Sequence, residues 1–290
     1  MTNTRGASHD TVTTEAAASP AAASKIAAGR PRGAGQNARQ RARAQITREI
    51  KEEARRQLAA EGAQRLSLRA VARELGMVSS ALYRYFPSRD DLLTALIIDA
   101  YDSLGTSAET AVARWPTADT RGRWRACCHA IRDWAIARPH EYALIYGSPV
   151  PGYQAPQETI APAARVAVVI GGLLSNAWPQ DTGAQDTGPQ DTGPQDTGPQ
   201  DTGPQTGRTA ASVPGRRLPG LLAGQAEALS AAIAPGVPPP VMARTLIAWT
   251  QLFGMLSFEL FGQLIGSADP SDDFFSYAID QMADLVGLPA

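Results

Sequence analysis

Apolar residues recur along this chain at helical spacing. Ile46, Ile50, Ala54 and Leu58 fall every four residues, one stripe of a helix that opens near Gln45 and that Gly62 stops. Ser67 offers an N-cap to a second helix, whose Leu68, Val71, Ala72 and Leu75 follow i, i+3, i+4, i+7. Gly76 ends it. A short helix from Ser79 to about Phe86 comes next, stopped by Pro87. Ser88 with Asp91 reads as a capping box for a fourth helix presenting Leu93, Leu96, Ile97 and Tyr101 on one face. Trp124, Cys127, Cys128, Ile131 and Trp134 fit one long helix that stops before Pro139. Further helices are predicted over residues 161–178, 218–233 and 241–265, and an amphipathic one runs from Phe274 to Val286. The stretch from Val241 to Ile265 is apolar nearly all round, with Arg244, Gln251, Glu259 and Gln263 its strongly polar positions. A helix of that kind needs burial on most faces, here by a second subunit. No segment sustains strand alternation, so the fold class is all-α.

Two segments break the pattern. Residues 1–37 are rich in Ala, Ser, Thr and Gly, with almost nothing to bury, and read as disordered. QDTGA at Gln180 is followed by four copies of QDTGP ending at Pro204. That repeat has no apolar residue and a period too short for a solenoid unit, so residues 179–217 are expected to be a disordered insertion in a loop.

Charge changes the picture by its distribution. The net charge of 290 residues is −1, yet residues 24–100 hold fifteen Arg or Lys against eight Asp or Glu, and the remainder is acidic. A basic N-terminal third on an acidic body fits a module that meets a polyanion, carried by one that does not. Arg30, Pro31 and Arg32, with Arg39, Arg41 and Arg43, read either as a minor-groove arm or as a solvated tail adding general attraction, the tail being preferred. Cys127 and Cys128 are the only cysteines, and neighbours in sequence imply no disulfide framework, so a reducing, cytoplasmic setting follows. They read as a packed helix face. Signal-peptide patterning is absent, and no membrane span is expected.

The residues that carry function lie from Leu66 to Ile97, LSLRAVARELGMVSSALYRYFPSRDDLLTALI. Two short helices joined by a Gly-containing turn make a helix-turn-helix. With Leu82 and Phe86 inward, the second helix presents Ser79, Ser80, Ala81, Tyr83, Arg84 and Tyr85, a hydroxyl-rich face with one arginine and no acid. Such a face suits a major groove. The stretch resembles the DNA-binding domain of TetR-family regulators, through Gly76, the LYRYF core at Leu82–Phe86 and the following PSRDDLL, over about residues 42–104. The resemblance implies base-edge contacts for Arg69, Ser79, Ser80, Ala81 and Arg84, and phosphate contacts for Ser67, Tyr83, Tyr85, Ser88 and Arg89. One departure is Val78, where the family often has Ser as N-cap; the cap is expected to shift to Ser79.

RPHEYALIYGSPVPGY (Arg138–Tyr153) and AWTQLFGMLSFELFG (Ala248–Gly262) resemble the ligand-binding region of a TetR subgroup with a Trp-His-Gly signature. Trp249 and Gly254 match it, and Phe253 stands where the signature has His. The implied organisation is a basic arm over residues 1–41, a three-helix helix-turn-helix DNA-binding domain over 42–88, and a helical effector-binding and dimerisation domain over 89–290. Candidate effector-pocket residues are Trp124, Trp134, Tyr142, Tyr146, Trp178, Trp249, Phe253 and Glu259, though each aromatic taken singly reads more often as plain core; Glu259 would orient an effector, pair across a dimer or face water. The implied partners are double-stranded DNA with a pseudo-palindromic operator, a small-molecule effector and a second copy of the chain. No catalytic residues, metal ligands or cofactor are expected: His9, His129 and His140 form no metal or triad spacing. The alternatives are an all-α small-molecule-binding enzyme, or a DNA-bound regulator without an effector.

Overall fold

The computed structural model describes residues 32–178 and 217–289, which cluster as two compact units, one reaching Gln45 and the other running Ile46–Ala290. The described residues are all-α. In chain order they form α1 (Arg32–Glu61), a 3-10 turn (Ala63–Arg65), α2 (Leu68–Glu74), α3 (Ser79–Leu82), α4 (Arg89–Ala113), α5 (Thr120–Ala137) and α6 (Pro139–Tyr146). A second 3-10 turn (Gln157–Thr159) leads into α7 (Ile160–Ala177), followed by α8 (Gly220–Ile233), α9 (Pro239–Leu260) and α10 (Asp272–Val286).

Three boundaries differ from the sequence reading. Helix α1 begins at Arg32, so the last ten residues of the expected disordered arm are helical; Asn37–Gln45, including Arg39, Arg41 and Arg43, are exposed along it. Nothing there is apolar enough to form a stripe, which is why hydrophobic periodicity finds only the part from Ile46 onward. Arg30, Pro31 and the QDTGP repeats lie outside the described residues. Helix α3 is a single turn, tightened at its end by Tyr85 N–H donating to the Leu82 carbonyl at 2.8 Å. Helix α9 stops at Leu260, five residues before the expected end. Gly262 takes φ +77°, its N–H bonds back to the Glu259 carbonyl and that of Gln263 to Phe258, a Schellman ending that only a left-handed residue permits.

Helix α4 belongs to two cores. Its first half, Leu92, Leu93, Leu96 and Ile97, packs with Ile50, Leu58, Val71, Leu82 and Phe86 in the head. Its second half, Ala100, Leu104, Ala108 and Val112, packs with Trp124, Ile131 and Leu173 in the body. One continuous helix therefore contributes to both cores. In the body, Arg165 of α7 clasps α4, donating to the Asp102 carboxylate at 2.9 Å and to Glu109 at 2.7 Å.

Residues 157–177 and α9 are each long and apolar enough to cross a membrane, which the sequence reading did not expect. Arg165 sits inside the first with its ion pairs made, and α9 buries Val241, Thr245, Ala248, Leu252 and Leu256 against the body. Cys127 and Cys128 are fully buried on α5; burial pushes the Cys127 thiol up to about 12 and Cys128 well above its ordinary value, so they pack as apolar groups.

Candidate nucleic-acid interface

The reading head is built from the turn outward. Helix α2 is capped by Ser67, whose Oγ accepts from Ala70 N–H at 3.4 Å, and it ends in a second Schellman motif. There Gly76 (φ +63°) donates to the Arg73 carbonyl and Met77 to Ala72 at 2.8 Å. The chain then leaves in an extended conformation at Val78, and α3 starts at Ser79. The cap has not moved to Ser79: Val78 occupies the N-cap position and makes no side-chain cap bond. Its isopropyl group is instead 69% exposed at the leading edge of α3, beside Ser79 and Ser80. Sequence reasoning treated Val78 only as a missing cap and so overlooked an apolar contact surface.

Leu82, wholly buried, anchors α3 in the head core with Phe86. Ser79, Ser80, Tyr83 and Arg84 are exposed together, and Ala81 is half-buried. Arg69 stands exposed on α2. Tyr83 is 42% exposed, whereas Tyr85 is packed against the head core. Ser88 caps α4: its Oγ accepts from Asp91 N–H at 3.1 Å and donates to the Asp91 carboxylate at 2.7 Å. Arg89 holds the head together internally. Its Nη2 donates to the Ala63 carbonyl at 2.8 Å and its Nε to Leu66 at 3.2 Å, tying the first turn of α4 to the 3-10 turn that precedes α2.

The expected effector residues divide into core and cluster. Trp124 Nε1 donates to the Ile279 carbonyl at 2.8 Å and Trp134 Nε1 to Ser103 Oγ at 2.9 Å, fastening α5 to α10 and α4. Trp178 ends α7, packed against the body core near Gly287. Four others meet. Tyr146 stacks on Phe253 with centroids 4.2 Å apart, Trp249 lies 4.7 Å from Phe253, and Tyr142 lies 5.3 Å from Tyr146. Tyr142 OH donates to the Phe253 carbonyl at 2.7 Å and is fully buried.

Glu259 does not face water; it is paired within the chain. It receives Arg132 Nε at 2.9 Å, Arg132 Nη2 at 2.7 Å and Ser271 Oγ at 2.6 Å. Arg132 also donates to Asp272 at 3.0 Å and lies over the Phe275 ring. The pair is nearly buried, with 8% and 15% of the two side chains exposed. A cation 127 residues away offers no signal in the local sequence.

An exposed hydroxyl-rich face on a one-turn helix, set by a left-handed glycine turn and backed by a packed three-helix head, defines a helix-turn-helix nucleic-acid reader on a helical body. The comparisons agree. Residues 50–96 match the family "Bacterial regulatory proteins, tetR family", and residues 124–282 match "Tetracyclin repressor-like, C-terminal domain". HTH-type transcriptional regulators Mb1846 of Mycobacterium bovis and Rv1816 of Mycobacterium tuberculosis are each 49% identical over 126 residues, 43% of this chain and 54% of theirs. The chain thus spans about half the length of these curated relatives. The crystal structure of a candidate regulatory protein, SCO4313, superposes with a TM-score of 0.62 at 31% identity over 84% of this chain and 98% of that one. A Rhodococcus sp. RHA1 protein of unknown function shares the fold (TM-score 0.54, 22% identity, 84% and 96% covered). This chain belongs to the TetR family of helix-turn-helix transcriptional regulators.

Proposed function

We propose that the protein acts in the cytoplasm as a homodimeric repressor that binds a pseudo-palindromic operator and is released by a small-molecule effector. The observation that carries it is the exposed face of α3. Ser79, Ser80 and Arg84 approach base edges with Ala81, Val78 meets thymine methyl groups, and Arg69 reaches in from α2. Tyr83, Ser67 and Ser88 take backbone phosphates, with Tyr85 at the margin. Arg89 acts from behind, by holding the head to α4. Residues 42–88 serve as the reading domain and 89–290 as the effector and dimer domain. No catalytic role is assigned.

Dimerisation is supported by an apolar stripe that is exposed among the described residues. Ile247, Gly254 and Phe258 on α9 face outward at i, i+7, i+11, and α10 adds Phe274, Tyr277 and Leu285. Gly254 sits at the middle of the α9 row with open space where a Cβ would be, so two copies of α9 can cross closely there. The effector is supported by the half-buried rings of Tyr146 and Trp249 beside Phe253, an apolar wall for a flat molecule. Trp124, Trp134, Tyr142, Trp178 and Glu259 frame that wall as packing.

Selection from random duplexes by the purified protein should enrich an inverted repeat, with half-sites about 10 bp apart or a multiple of that. Gly254→Arg, whose added Cβ meets nothing within 4 Å among the described residues, should sediment as a monomer, keep its helical signal and lose the palindrome. Enriched sequences lacking two-fold symmetry, or a dimeric Gly254→Arg protein, would overturn this reading.

A further inference from the structure

A cleft of about 510 Å³ opens between the end of α1 with its following 3-10 turn and α6 with the loop after it. It lies at the junction of head and body, where α6 also carries Tyr142 and Tyr146 of the aromatic cluster. Leu58, Leu144 and Val150 give it apolar walls, and Phe261, half exposed just past α9, adds an aromatic side chain to the lining. Arg65 comes from the head wall and His140 from the body wall. Both are exposed side chains with no hydrogen bond or ion pair among the described residues. Glu61 is the single acidic residue of the lining.

This chemistry selects a ligand class. Apolar walls that include an aromatic side chain favour a flat hydrophobic body. Two nitrogen donors on opposite walls favour an anionic head between them. The Glu61 carboxylate limits that head to one negative charge, which disfavours phosphate esters. We propose that the cleft is a binding site for a small aromatic carboxylate, and that its occupancy is transmitted to the DNA-reading head. The proposal rests on the effector reading above and places a ligand at the head–body seam instead of in the body.

The transmission follows from shared atoms. Ala63 and Gln64 line the cleft, and their carbonyls are the acceptors of Arg89 Nη2, at 2.8 and 3.4 Å. Three residues after Gln64, Ser67 caps α2. The opposite wall is tied to the head by Arg55 to Glu141 at 3.1 Å, Thr94 with Tyr153 at 2.9 Å and Tyr101 to the Ile145 carbonyl at 3.3 Å, and Leu144, Ile145 and Val150 pack on the head core. A ligand bridging Arg65 and His140 therefore pulls on the segment that sets α2, and α2 sets α3. Its differential affinity for the two positions of that segment is the coupling free energy.

The test uses the full chain and 8-anilinonaphthalene-1-sulfonate, an aromatic monoanion whose fluorescence rises on burial. Wild type should bind it saturably. Arg65→Ala, an exposed substitution that leaves the core untouched, should weaken binding at least tenfold, and Ala143→Trp should fill the cleft with the same result. Leu221→Ser, an exposed change on α8, should bind as wild type. Unchanged titrations in Arg65→Ala, or loss only in Leu221→Ser, would overturn the site. On a selected duplex, saturating probe should weaken wild-type DNA binding severalfold and leave Arg65→Ala unaffected by probe; equal DNA affinity with and without probe in wild type would overturn the transmission. If the protein binds no duplex at all, the regulator reading fails instead, and the direct titrations still decide the site.

Discussion

Replacing Arg132 with Met is expected to lower the stability of the fold by about 3 kcal/mol, because it strands the Glu259 carboxylate in a nearly closed site. Against the roughly 5–15 kcal/mol of a typical domain, that loss is large. The pair joins three elements: α5 through Arg132, α9 through Glu259, and the start of α10 through Ser271 and Asp272. The double change Arg132→Met with Glu259→Met removes both charges and should recover most of the loss, since an apolar pair of similar volume often equals a buried ion pair. Urea titrations of the wild type and the two variants check this. A double variant as unstable as the single one would show that the geometry of the bridge, and not the stranded charge, holds α9.

The same site fixes the sign of an acid effect. Burial pushes the Glu259 carboxyl up, but hydrogen bonds from Arg132 and Ser271 outweigh it and leave the group below its ordinary 4.5. A carboxylate lowered in the folded state gives stability that is present above its unfolded value and lost as pH falls through the folded one. Wild-type stability should therefore decline below about pH 4.5. In Arg132→Met only the Ser271 hydrogen bond remains to oppose burial, so Glu259 takes up a proton more readily and the deficit relative to wild type should shrink in acid. A deficit that stays constant from pH 7 to pH 4 would contradict the assignment.

Much of the head is legible in the sequence because local rules suffice there. The four-residue stripe from Ile46 to Leu58, the Ser67 and Ser88 caps, and the left-handed Gly76 each act over a few residues, and each stands where expected. The resemblance of Leu66–Ile97 to a known reading head extends this to the whole domain. What escapes the sequence is long-range or unpatterned. The polar start of α1 has no apolar stripe to show. The partner of Glu259 lies on another helix, and Arg89, placed by its resemblance on phosphates, finds three backbone carbonyls 23 to 26 residues away. Aromatic composition alone does not separate Trp124 and Trp134, whose indoles are bonded into the core, from Tyr146 and Trp249, which remain half-buried.

The second large effect concerns DNA. Tyr83 and Arg69 both stand exposed on the reading head, but by different chemistry. A tyrosine hydroxyl on a phosphate positions the head without reading sequence, so Tyr83→Ala should weaken all duplexes alike and leave the salt dependence nearly unchanged. An arginine forked to a base edge contributes about 1–3 kcal/mol of discrimination, so Arg69→Ala should bind roughly tenfold or more weakly and tolerate changes at one position of each half-site. It should also lower the slope of log affinity against log salt by about 1 for each cation lost.

The most direct test of the central claim is fluorescence anisotropy of wild type, Tyr83→Ala and Arg69→Ala on one operator duplex and one scrambled duplex, across a salt series. Wild type should prefer the operator by at least a thousandfold, with affinity falling steeply as salt rises. Both variants should lose operator affinity while keeping the wild-type fold. Equal binding by all three proteins, or equal affinity of wild type for the two duplexes, would contradict the assignment of α2 and α3 as the reading head.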